Sequence, residues 1–213
     1  MTAEPDPGRG DEGLKEGSPP QGGLQGKLGI LLGLGGAVLF LDLLTKWWVQ
    51  QTLPRGRPVE VVGDLLRFTH IMNPGAAFGL HLGEHSRVIF IVLTLFALAF
   101  LGGMYWYAHH RDHLRLVALS LLLGGALGNL ADRIRFPEGV VDFLDVGVGG
   151  LRWPVFNVAD MGITIGAILL AVSIWNEERR HHQAAQEAAG KAQRTRAAEG
   201  PEASRSGGSS GAG

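Results

Sequence analysis

Five carboxylates, Asp42, Asp132, Asp142, Asp145 and Asp160, stand inside or beside long apolar stretches of this chain. An acid at the centre of a bilayer costs about 2.5–3.5 kcal/mol by insertion scales, so each needs a partner or a task. Asp160 is the sharpest case. Pro154 suits the first turn of a helix, and six residues on, roughly 9 Å along the axis at 1.5 Å per residue, Asp160 would lie just inside the bilayer. Asn157 and Thr164 fall on the same face, at i−3 and i+4. Asp142, in Gly139-Val140-Val141-Asp142-Phe143-Leu144-Asp145, reads alone as a loop acid. Two carboxyls brought together in a partly dry site share one proton. The ionised member can then activate water while the protonated member protonates a carbonyl or a leaving amine. Asp142 and Asp160 are 18 positions apart, a spacing that neither requires nor forbids their meeting.

Other polar residues carry weaker signals. Gly125, Asn129, Asp132 and Arg133 recur at i, i+4, i+7 and i+8, on one helix face. Packing explains the glycines, whereas Asn129 needs a hydrogen-bond partner in lipid. Asp132 and Arg133 read as an interfacial salt bridge, or Arg133 as a group that holds a substrate carbonyl. Asp42 and Lys46 are an i,i+4 pair able to neutralise each other, a structural role. Asn73-Pro74-Gly75-Ala76-Ala77-Phe78-Gly79 is a small-residue turn, either a plain connector or a place where a ligand chain approaches bare backbone.

The elements that hold these residues follow from hydropathy. The chain has 213 residues, 46% hydrophobic and only 18% charged, with 33 glycines and no cysteine. The lack of cysteine excludes disulfides, thiolate metal sites and thiol nucleophiles. A net charge of −1 argues against a nucleic-acid partner. His181 and His182 could bind a metal, but adjacent histidines in a polar tail are a weak signal. Four apolar stretches predict spans at about 28–49, 88–108, 114–132 and 154–176, each near the ~20 residues a bilayer crossing needs. Trp47, Trp48, Trp106, Tyr107, Trp153 and Trp175 fall near their ends, as interfacial anchors do. The expected fold is an all-α polytopic membrane protein, four helices with a small β-containing extracytoplasmic loop. Residues 1–26 and 177–213 read as polar, largely disordered tails around a membrane domain at 27–176, although the first part of the second tail could extend a helix. With both tails inside, eleven basic residues face the cytoplasm against seven outside, which favours that orientation. The first outer loop contains Val59-Glu60-Val61-Val62 and Leu65-Leu66-Arg67-Phe68-Thr69-His70-Ile71, a strand or two. On residues alone, a proton-coupled transporter or a non-enzymatic scaffold stays open beside a hydrolase, although the transporter's expected inverted repeat is not found.

Taken together, Asp42-x-x-Thr45-Lys46, Asn73-x-Gly75-Ala76-Ala77-Phe78-Gly79, Gly124-Gly125-Ala126-x-Gly128-Asn129-x-x-Asp132-Arg133, Val141-Asp142-Phe143-x-Asp145 and Phe156-Asn157-x-Ala159-Asp160 resemble the bacterial lipoprotein signal peptidases, signal peptidase II. Each motif is weak, but five occur in order on four spans over about residues 28–176. The resemblance implies an intramembrane aspartic endopeptidase that removes signal peptides from diacylglyceryl-modified prolipoproteins in the bacterial cell membrane. It implies Asp142 and Asp160 as the catalytic pair, and Asn73, Gly75, Asn129, Arg133 and Asn157 as substrate-binding positions. Asp42, Lys46, Asp132 and Asp145 remain structural polar residues. It also implies inhibition by globomycin and no need of a cofactor or metal.

Overall fold

The computed structural model describes residues 21–75 and 85–199. Ala76–Gly79, the second half of the small-residue turn, and residues 1–20 of the N-tail lie outside them. Among the described residues, four helices are long and apolar enough to cross a membrane. The first is continuous from α1 (Gln21–Ile30) through a π-helical turn (Leu31–Gly35) to α2 (Gly36–Thr52). The others are α3 (Ser86–Tyr107), α4 (His113–Arg135) and α5 (Val158–Glu199).

Helix α4 is the centre of the bundle. Its small residues let its neighbours come close: a Cβ on Gly124 would sit 2.3 Å from the Gly35 carbonyl, and one on Gly125 2.4 Å from the Ala159 carbonyl. The buried positions of α2 are Asp42, Lys46 and Val49, one stripe turned to α4. The opposite faces are apolar and exposed, as at Phe40, Phe96, Phe100 and Ile168. Exposed apolar belts around a polar-cored bundle are what a bilayer solvent selects.

Both long loops supply strands. β1 (Pro58–Val62), β2 (Leu66–Asn73), β3 (Val140–Val148) and β4 (Leu151–Arg152) form one antiparallel sheet in that order. The strands expected in the first loop are present. The second loop contributes β3 and β4, which were not anticipated. Pairing of β2 with β3 sets Ile71 opposite Asp142 and Arg67 opposite Asp145. Val49, Val141 and Phe143, packed with Phe68, Met72 and Val158, seat the sheet on one end of the bundle.

Three boundaries differ from the sequence expectation. The fourth helix starts at Val158, not near Pro154. Phe156 is held extended by exchanging backbone hydrogen bonds with Leu144, at 3.1 and 2.8 Å, so the chain cannot coil before it. Asp160 is therefore in the first turn of α5 rather than six residues down. At the other end, α5 continues to Glu199, past the expected span end at 176, by the helical extension that the first part of the tail allows. The first helix likewise begins at Gln21, inside the expected N-tail.

Candidate active site

The sheet end of the bundle gathers the carboxylates. The start of α5 is organised by a reciprocal cap: the Asp160 backbone N–H donates to Asn157 Oδ1 at 2.9 Å, and the Asn157 N–H donates to Asp160 Oδ2 at 3.2 Å. This is an Asn-x-x-Asp capping box, legible in sequence as a cap three residues before an acid at the head of an apolar run. It fixes both the start of α5 and the rotamer of Asp160.

The same Asn157 bridges to the second acid. Its Nδ2 donates to Asp142 Oδ1 at 2.6 Å, and Asn73 Nδ2 donates to Asp142 Oδ2 at 2.8 Å. Asn129 Nδ2 donates to Asp160 Oδ1 at 2.8 Å. Each acid is thus oriented by two donors, and Asn157 gives one to each. Asp142 is 1% exposed, so ionisation costs solvation. Burial first, and the charge of Asp160 second, push its carboxyl up to about 7, against the opposing hydrogen bonds from Asn73 and Asn157 and the more distant charge of Lys46. Asp160 is half-buried and borders a cleft of about 390 Å³ lined by Trp153, Phe156, Met161, Thr164 and Ile165. A second cleft of about 370 Å³ lies between α3, α4 and α5 and carries Asn129 and Arg133 at its sheet end. Polar, oriented carboxylates beside apolar clefts suit attack by water on an amide within an apolar chain.

The remaining expected site residues separate. Asn73 belongs to the centre: it bonds Asp142, and its Oδ1 accepts the Gly75 N–H at 2.9 Å. Gly75 has φ +100°, and a Cβ there would meet the Phe90 ring at 2.2 Å, so this turn requires glycine. Arg133 lies over that same Phe90 ring, 5.3 Å from its centroid, and lines the second cleft. Asn157 is fully buried and is a strut between the two acids. Asp132 does not form the expected salt bridge with Arg133. It turns to Lys46, 3.0 Å away, beside the expected Asp42–Lys46 pair at 2.8 Å. Asp145 stands apart, held by Arg152 at 2.6 Å and Thr69 at 3.0 Å within the sheet. Phe90 and Arg87 were missed in the sequence. Arg87 donates to the Arg133 and Ile134 carbonyls at 2.7 and 3.0 Å and fastens α3 to the end of α4. An arginine in a helix's first turn gives no sequence cue to such a partner.

The fold and the site define a polytopic membrane protein with two amide-bridged carboxylates beneath a small sheet. The family described as Signal peptidase (SPase) II matches residues 34–176. Similar proteins named "Lipoprotein signal peptidase" include one from Halothermothrix orenii, 39% identical over 67% of this chain and 92% of its own length. Another, from Moorella thermoacetica, is 44% identical over 62% and 84% respectively. Among solved structures, a bacterial membrane enzyme determined in meso at 2.3 Å superposes with a TM-score of 0.64 at 33% identity, covering 71% of this chain and 90% of that one. A second, at 1.9 Å, gives 0.62 at 34% identity over 69% and 93%. The chain belongs to the signal peptidase II family.

Proposed function

We propose that this protein is an intramembrane aspartic endopeptidase that removes signal peptides from diacylglyceryl-modified prolipoproteins, cutting on the N-terminal side of the lipidated cysteine. The observation that carries the reading is the bridging of Asp142 and Asp160 through one shared asparagine, Asn157. The buried Asp142, with its raised pKa, holds the dyad's proton, and the more open Asp160 is the base. Asp160 takes a proton from water as the oxygen adds to the scissile carbonyl carbon, and Asp142 gives its proton to the carbonyl oxygen. Collapse of the tetrahedral species then breaks the C–N bond as one of its hydroxyls returns a proton to Asp142, and the departing amine takes the proton from Asp160. Water attacks directly, so no acyl-enzyme forms. The cleft carrying Asn129 and Arg133 is proposed to receive the signal helix, with Asn73 and Gly75 beside the extended cleavage segment. The sheet end is assigned to the extracytoplasmic side of the cell membrane and both tails to the cytoplasm. That puts the dyad at the depth where a lipid-anchored cleavage site waits.

Purified protein in lipid, given a diacylglyceryl-modified prolipoprotein, tests this. Wild type should cut, and Asp142→Asn and Asp160→Asn, folded normally, should lose about 10³-fold or more of the rate, as expected when a general acid or base is removed. Cleavage by either variant at the wild-type rate would overturn the assignment.

A further inference from the structure

We propose that the buried Asp42–Lys46–Asp132 triad is a positioning unit for the two carboxylates, with Lys46 setting which end of the Asn129 amide faces Asp160. The proposal deepens the peptidase reading and rests on it. The triad touches no substrate-sized space: Asp42, Lys46 and Asp132 are each at most 1% exposed.

Two observations carry it. The first is the logic of donors. An ammonium group has hydrogens to give and no lone pair to receive. The Asn129 atom 3.0 Å from Lys46 Nζ is therefore its oxygen, Oδ1. That leaves Nδ2, and its hydrogens, to face Asp160 Oδ1 at 2.8 Å. With the ammonium gone, the only other donor to Oδ1 among the described residues is Asn157 Nδ2, at the longer distance of 3.2 Å. A turn of the Asn129 amide would then set oxygen against the Asp160 carboxylate.

The second is where the triad's acids attach. Asp42 Oδ1 accepts the backbone N–H of Ala159 at 2.9 Å, the residue before Asp160. Asp132 Oδ2 accepts the backbone N–H of Val141 at 3.1 Å, the residue before Asp142. Lys46 joins the two acids at 2.8 and 3.0 Å. One buried cation thus ties together the two backbone segments that carry the dyad, one in α5 and one in β3. Packing alone would not select the N–H groups adjacent to both carboxylates.

Charge gives a separate readout. The charged groups that face Asp142 are Asp160 from α5, Lys46 from α2 and Arg133 from α4, with Asp132 of α4 beside Lys46. The ammonium favours the ionised form of Asp142. Its loss should move the alkaline limb of the rate profile to higher pH.

The test compares wild type, Lys46→Met, Lys46→Arg and the triple variant Asp42→Asn/Lys46→Met/Asp132→Asn, with Asp160→Asn as control, all as the full chain in lipid. The triple variant removes the three charges together and keeps side-chain oxygens for the Ala159 and Val141 N–H groups. It remains informative if Lys46→Met alone leaves two buried acids uncompensated and fails to fold. The values of kcat and KM for a diacylglyceryl prolipoprotein are measured from pH 5 to 9, normalised to the folded fraction from thermal unfolding. The expected result is a fall in kcat of about 10–100-fold, the scale seen when a group that orients a functional side chain is removed. KM should stay within about twofold, the alkaline limb should move up, and Lys46→Arg should recover most of the rate. A folded triple variant with wild-type kcat and an unmoved limb would overturn the proposal, as would a loss that only tracks the unfolded fraction. Cleavage by Asp160→Asn, or none by wild type, would instead overturn the peptidase reading itself.

Discussion

At the scale of single residues, the two acids differ in surroundings, and the difference assigns their roles. Asp142 is walled in and Asp160 borders a cleft. With the Asp142 carboxyl pushed up to about 7, Asp142 keeps its proton below that pH and loses it above. Cleavage should therefore fall as pH rises through about 7, which a rate profile at saturating substrate would show. An unchanged rate to pH 9 would exclude Asp142 as the proton donor. Stability carries the same sign. The folded value lies above the ordinary 3.8, so the acid adds nothing unfavourable at about pH 3 and opposes folding increasingly as pH climbs from about 4 through 7. Asp142→Asn, which cannot ionise but sets an NH2 against one of the two amide donors, should gain stability relative to wild type between pH 4 and pH 8, by about a few kcal/mol. Thermal scans in detergent at the two pH values would check it.

At the scale of elements, the contact between α2 and α4 leaves no room for a larger residue at Gly128. A Cβ on Gly128 would lie 2.5 Å from Asp42 Oδ2 and 3.3 Å from the Ala159 Cβ, between the triad and the head of α5. Gly128→Ala should destabilise the bundle by about 1–3 kcal/mol, the usual cost of overpacking. It should also lower kcat through Asp42, whereas Gly36→Ala, with open space at its Cβ, should do neither. Melting temperatures of the two variants, read beside their cleavage rates, give the comparison. The four helices themselves are legible in the sequence because a bilayer imposes a length and a polarity that a run of side chains displays directly. The candidate dyad is legible only through the order of motifs, since a separation of 18 positions contains no distance. The start of α5 is misread from Pro154 because the pairing of Phe156 with Leu144 is a tertiary demand that outweighs a favourable first-turn proline. The partner of Asp132 is hidden for a similar reason. Arg133 is next to it in sequence, but successive helix positions do not face each other, and Lys46 arrives from another helix.

At the scale of the whole molecule, order is graded from the sheet end to the tail end. The sheet end is fastened by β2–β3 pairing, by the Asp64–Arg67–Arg152–Asp145 ion network and by the carboxylate centre. At the other end, Lys27 donates to the Trp106 and Ala108 carbonyls at 2.7 and 2.9 Å, and Arg115 reaches Glu177. Beyond Arg179, which lies over the Trp175 ring, helix α5 runs on through an alanine-rich polar stretch whose described side chains are almost all exposed. Alanine, glutamate, glutamine, lysine and arginine hold such a helix by intrinsic propensity, without a packed face. A helix whose described side chains are almost all exposed adds little to the bundle, and this one projects from the end opposite the dyad. Ending the chain after Arg180 should therefore keep the Glu177 and Arg179 contacts, leave the melting temperature within about 2 °C, no more than the shift that about 1 kcal/mol produces in a chain of this size, and leave cleavage in lipid within about twofold. A large loss of cleavage with unchanged melting would show that the projecting helix acts on the substrate or the membrane, and that the functional unit extends beyond the four spans and their sheet.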